Sequence, residues 1–288
     1  MALRSRSRGR VDHGARCEVI KRALNQKTAP HLSYEAFLDL AKTLGCVGVE
    51  PRNDLGRGLF DGISPPEAGA MARERGLRLL GLSEVYPFND WSAERAHAIE
   101  ALIDAAAESG AETFSLIPRV DGKYTEDGAR QKVLCRVMRE ILPMLDGHNL
   151  LALIEPIGFA SSSLKEKVEL VEAIEAVGGL TKFKLVHDTF QHVIAGGGRI
   201  YPEYTATVHI SGISDPQRKL DETLDAHRIL VDRGDRCGTL DQISAFLEAG
   251  YQGPFSFECT SPRVQESATL EDDIRRSFEF IEASFAST

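Results

Sequence analysis

The sequence predicts an α/β fold: a (β/α)8 barrel, the TIM barrel, built as a single domain. Three observations predict it. Eight short apolar runs alternate with amphipathic helical segments along the chain. Runs such as LLALI and FKLV are apolar on both faces, as strands buried in a parallel sheet are. At 288 residues and 42% hydrophobic, the chain can bury one large core. Strands that alternate with helices pair in parallel, because each crossover carries a helix. A doubly wound open sheet is the alternative, but eight regular units favour closure.

The strand candidates run in order. They are EVIKRAL (18–24), CVGVE (46–50), LRLLGL (77–82) and ETFSLI (112–117), then LLALIE (150–155), FKLVHD (183–188), ATVHIS (206–211) and PFSFE (254–258). The first helix, 33–45, places apolar residues at 37, 38, 40, 41 and 44 and stops at Gly45. The second, 65–76, opens on prolines and ends at Gly76. The third, 91–110, has Ser92 as N-cap, Glu94 in its first turn and Gly110 as its stop. Segments 125–145, 163–179, 240–250 and 268–285 complete the helices. The seventh unit is irregular. Residues 211–239 form a long polar loop, and loops of that length inside compact domains are often functional.

Composition excludes several classes. The net charge is -9, although the first ten residues carry four Arg and no acid, so the body is more acidic still. That balance disfavours a nucleic-acid partner. Five cysteines, scattered and without a CxxC, read as reduced thiols in a cytoplasmic protein. No apolar run approaches the length that crosses a membrane. The Arg/Ser-rich residues 1–16 lack an apolar segment behind them and read as a disordered basic tail ahead of a catalytic barrel at 17–288.

In a barrel of this kind the site lies at the C-terminal ends of the strands. Strand five ends in Glu155, strand six in Asp188 and strand eight in Glu258, and strand seven carries His209 near its end. Four consecutive strands thus deliver a metal-ligand type to one rim. Three carboxylates around one point repel and raise one another's pKa unless a cation sits among them. Carboxylates with one imidazole and no thiolate suit a single divalent ion, Mn, Mg, Co or Zn. Cys259 follows Glu258 directly, and strand alternation turns it to the opposite face. Taken singly, each of these residues also reads as a capping or packing group.

These residues carry a resemblance. IEP at 154–156, HDTF at 187–190, VHIS at 208–211, and FSFE at 255–258 followed by Pro262 resemble the sugar isomerase/epimerase family of xylose-isomerase-like barrels. The stretch 238–258 resembles that family's barrel closure. Within the family, the likeness points to inosose isomerases and their neighbours in inositol catabolism. The resemblance implies that Glu155, Asp188, His209 and Glu258 hold the metal, and that Glu155 and Glu258 exchange protons with a substrate carbon. It also implies that Arg228 holds substrate oxygens, although a solvated loop cation reads equally well. Family members often carry a substrate-facing His three residues after the Asp. Here Gln191 stands there and His192 follows, so both are candidate substrate contacts. His187, next to Asp188 on a strand, is expected to face the helices. The glycines at 196–198 let the chain turn away from the site.

The expected activity is isomerisation or epimerisation of an unphosphorylated keto sugar or inosose through an enediolate. Dehydration of an inosose on the same site is the alternative. An endonuclease IV-like nuclease fits the acidic body and the single ligand His poorly, and a barrel that only binds a ligand is a third reading. A homodimer is expected by resemblance alone.

Overall fold

A computed structural model describes residues 20–285. The basic tail expected at 1–16, Cys17, and the start of the first strand candidate at 18–19 lie outside the described residues. The elements follow in chain order as strand β1 Lys21–Asn25, helix α1 Tyr34–Thr43, β2 Gly48–Glu50, α2 Pro65–Glu74, β3 Arg78–Leu79, β4 Leu82–Val85 and α3 Ala93–Ser109. Next come β5 Thr113–Leu116, α4 Ala129–Ile141, β6 Leu151–Ile154, α5 Lys167–Ala176, β7 Phe183–Asp188 and α6 Thr189–Ile194. The chain finishes with β8 Thr205–Ile210, α7 Thr239–Glu248, β9 Pro254–Phe257, α8 Pro262–Gln265 and α9 Leu270–Phe285.

All strand pairs are parallel, and their order around the sheet is β3-β2-β1-β9-β8-β7-β6-β5-β4. The two end strands, β3 and β4, are consecutive in the chain. The single strand expected at 77–82 is thus broken: β3 lies within it, and β4 starts at its last residue and runs on to Val85. The break falls at Gly81, where an added Cβ would lie 2.5 Å from Thr113 Oγ1, so the backbone passes hard against β5. Before the break the strand pairs with β2, and after it with β5. The seam is drawn together by a parallel bridge between Arg52 and Ser83, with Ser83 N donating to Pro51 O at 3.0 Å and Asn53 N to Ser83 O at 2.8 Å. The result is an eight-unit barrel in nine strand segments.

The helices form where the sequence predicts, trimmed at their ends. Ser33 caps α1, its side chain accepting from Ala36 N, and Phe37, Leu38, Leu40 and Ala41 form the buried face. Ser92 caps α3, and Gly110 ends it at φ +75°. Gly128 takes a non-helical conformation, which delays α4 until Ala129. The last helix buries Leu270, Ile274, Phe278 and Ile281, one stripe at helical spacing, and Phe278 meets Phe257 of β9 at 4.5 Å between ring centres. Six-residue α6 is too short to show a period and went unassigned in the sequence. It starts because the Asp188 side chain accepts from Gln191 N.

The long loop after β8 is tied down. Gly212 N donates to Ile229 O at 2.7 Å and Ile229 N to Gly212 O at 2.9 Å, which folds residues 213–228 back over the barrel rim. A small apolar cluster of Phe190, Ile213 and Cys237 packs beneath it. Cys46, Cys135, Cys237 and Cys259 are free thiols. Among the described residues no helix is long and apolar enough to cross a membrane.

Candidate metal centre and active-site cavity

Four neighbouring strands deliver four side chains to one point. Asp188 is the last residue of β7, His209 lies within β8, and Glu155 and Glu258 directly follow β6 and β9. One ligand atom from each lies within 4.8 Å of all the others, and all four residues are buried. The register explains the convergence. Asp188 pairs with His209, and Glu258 stands two residues beyond Ser256, the partner of His209, so strand alternation turns these side chains to the same inner face of adjacent parallel strands.

His209 is oriented for ligation. Its Nε2 lies 3.0 Å from Glu50 Oε2, with both side chains 2% exposed. A carboxylate there accepts a hydrogen bond from Nε2–H and leaves Nδ1 facing inward. Nδ1 lies 3.3 Å from Glu258 Oε2 and 3.8 Å from Glu155 Oε2, yet it makes no hydrogen bond. An orphaned buried imidazole nitrogen among three carboxylates fits a divalent cation in ligand type and number. Glu50 is a functional candidate the sequence reading missed. The signal was there, because CVGVE ends in an acid as the site strands do, but β2 lies apart from that run of four strands.

The buried acids, His209 and Arg228 act strongly on one another. Burial lowers His209, but the flanking Glu50 and Glu258 outweigh it and raise His209 well above the ordinary range. Burial also pushes Glu258 up, but His209 and Arg228 together hold it well below the usual carboxylate range. Glu155 is raised well above that range, first by burial and then by the negative charge of Glu258. Asp188 is raised by burial against the opposing pull of Arg228.

Arg228 is buried, not a solvated loop cation. Its Nη2 donates to Asp188 Oδ2 and, at 3.1 Å, to Glu258 Oε2; Nε donates to Ser211 Oγ at 3.1 Å and Nη1 to Asp225 Oδ1 at 3.3 Å. Arg52 is buried as well, donating to Glu258 Oε1 at 2.9 Å and to Glu84 Oε2 at 2.7 Å. Further along the rim, Arg119 pairs with Asp90 and Asp121, and Trp91 packs against the core.

Above the four ligands opens a cavity of about 440 Å³. Gln191 and Arg228 line it. Gln191 accepts from Gly158 N at 2.9 Å and donates to Asp225 Oδ1 at 3.2 Å. His192 does not line this cavity. One step further round α6, it turns towards α5, where its Nδ1 lies 2.9 Å from Lys167 Nζ. Its ring lies 5.0 Å from that of His187. His187 faces the helices, as alternation implies: its ring meets Phe246 at 4.7 Å and its Nε2 lies 2.8 Å from Gln242 Oε1.

Known structures share this architecture. A xylose isomerase domain-containing protein from Salmonella typhimurium LT2 is 29% identical, with a TM-score of 0.84 over 93% of this chain and 99% of its own. The IOLI protein, solved with a zinc atom, is 15% identical, with a TM-score of 0.78 over 93% of this chain and 98% of its own. The 3-keto-D-glucoside 4-epimerase YcjR from E. coli is 16% identical, with a TM-score of 0.66 over 92% and 99%. The last two likenesses show the fold alone. No curated protein sequence gives a significant match. The profile of one family covers residues 38–284, nearly the whole described barrel: this chain belongs to the xylose isomerase-like TIM barrel family.

Proposed function

We propose that the chain is a divalent-metal-dependent isomerase or epimerase that moves a proton beside the carbonyl of a keto sugar or inosose. The observation that carries this is the convergence of Glu155, Asp188, His209 and Glu258 around the unbonded Nδ1 of His209. Those four side chains would hold the ion, with Glu50 fixing the His209 tautomer. A bound divalent cation supplies Lewis acidity, which acidifies the C–H next to a carbonyl.

The chain's own groups do the rest. Glu155 and Glu258 face the cavity and are placed to take a proton from one carbon and return it to another carbon or another face. Positioned bases of this sort contribute about 10²–10⁴-fold. The two are not equivalent. Glu258 has one oxygen held by Arg52 and the other by Arg228, whereas Glu155 has no arginine partner among the described residues. Glu155 is therefore the carboxylate freer to turn toward substrate. Arg228 presents a fixed positive charge to substrate oxygen and to the enediolate that develops. Loss of a β-hydroxyl from the same enediolate would give dehydration, so product identity separates the two outcomes.

The test is metal content by elemental analysis after titration with Mn, wild type against Glu258→Gln. One equivalent bound by wild type and lost in the variant supports the site and justifies a screen of ketoses and inososes. No binding by wild type removes the metal and the mechanism together.

A further inference from the structure

The cavity has two unlike walls. One is charged, and its cations are already engaged. Lys27 pairs with Asp54 at 2.7 Å, Arg52 with Asp54, Glu84 and Glu258, and Arg228 with Asp188, Asp225 and Glu258. Against these three cations the lining sets five acids: Asp54, Glu84, Glu155, Asp225 and Glu258. Two of these acids, Glu155 and Glu258, would be taken up by the metal, but a phosphate or carboxylate on the substrate would still find no unpaired lysine or arginine in the lining, and it would have to break an existing pair to bind.

The other wall is apolar. It comes from the residues just beyond β4, β5 and β6: Tyr86, Ile117, Val120, Ile157 and Phe159. Tyr86 is 41% exposed there. Phe159 is locked in place by its surroundings. Gly158, beside it, is pinned by the Gln191 hydrogen bond, and an added Cβ at Gly158 would lie 2.3 Å from Gln191 O and 2.7 Å from Ala195 N. The Phe159 ring also packs edge-on against Phe190, with centres 6.1 Å apart. A ring on so fixed a backbone loses little freedom when a ligand packs on it. A small, fully hydroxylated sugar would leave this wall hydrated.

We infer that the site takes a neutral keto sugar bearing an apolar substituent. The sugar oxygens lie toward the four ligand residues, and the substituent packs on Phe159, Ile117 and Val120. This rests on the keto-sugar reading above. It narrows the substrate to an alkyl or aryl glycoside, or an equivalent ether, and away from sugar phosphates and uronates.

The experiment is titration calorimetry on the full-length, Mn-saturated protein with three probes: methyl 3-keto-glucoside, phenyl 3-keto-glucoside and methyl 3-keto-glucoside 6-phosphate. The phenyl glycoside is expected to bind about tenfold tighter than the methyl glycoside, the size of one good aromatic packing contact. The phosphate is expected to bind weakest. Phe159→Ala should bring the phenyl-over-methyl ratio to about one, while Phe159→Tyr should keep it. Equal affinity for phenyl and methyl forms, tightest binding of the phosphate, or no binding of any probe overturns the inference. Turnover is measured separately. The expected preference without turnover of any keto sugar would remove the isomerase reading and leave the binding preference standing. Turnover without the preference would do the reverse.

Discussion

Glu50→Gln probes the support behind the metal ligand. Glu50 Oε2 lies 3.0 Å from His209 Nε2, and each side chain is 2% exposed, so water cannot replace a lost charge. Gln is nearly isosteric and its amide oxygen can accept the same N–H. The tautomer therefore survives, but the negative charge that makes the imidazole a stronger donor is gone. Partners of metal-bound imidazoles are worth about 10- to 100-fold in affinity, or about 1.4–2.8 kcal/mol. Full burial places this pair in the upper half of that range. Mn titration by calorimetry near neutral pH, with circular dichroism as the fold control, should show a dissociation constant raised by about 30- to 100-fold. An unchanged constant would refute the support role. Complete loss, as expected for Glu258→Gln, would make Glu50 itself a ligand.

Other expectations follow from particular contacts. Glu155→Gln should abolish turnover while keeping the fold by circular dichroism; normal activity would sink its proton-transfer role. Burial lowers the Lys167 ammonium to about 8 from 10.5, so at neutral pH the folded state carries a charge penalty of about 3 kcal/mol. Removing the amine strands His192 Nδ1, a loss of about 1 kcal/mol. Lys167→Met should therefore gain about 2 kcal/mol in urea unfolding at pH 7. The sign follows from linkage: the unfolded chain holds the extra proton between pH 8 and 10.5, so wild-type stability climbs with pH across that window and above it the gain gives way to the loss of about 1 kcal/mol. A gain that grew with pH would contradict the assignment. Gly158→Ala forces a Cβ to 2.3 Å from Gln191 O, so it should shift the Phe159 loop and lower the midpoint of thermal unfolding, by an amount consistent with about 1–3 kcal/mol. An unchanged midpoint would show that the loop relaxes freely.

The sequence by itself determined the barrel and the four converging side chains. Both depend on local, periodic signals. Strand runs such as FKLVHD and PFSFE carry their own hydrophobic pattern, and in a parallel barrel the end of every strand meets the same rim, so position along the chain translates directly into position at the site. Tertiary structure alone decided what those side chains touch. The split of the third strand at Gly81 is a contact with Thr113, more than thirty residues away. Glu50 and His209, and Arg52 and Glu258, meet across the barrel from strands far apart in sequence. Arg228 turned out to be buried because the Gly212–Ile229 bridge folds its loop back over the rim. His192 turned from the cavity because the short helix capped by Asp188 rotates it towards Lys167. A one-dimensional pattern records which way a residue faces on its own element. Which partner it meets depends on how distant elements close against one another, and only the folded chain fixes that.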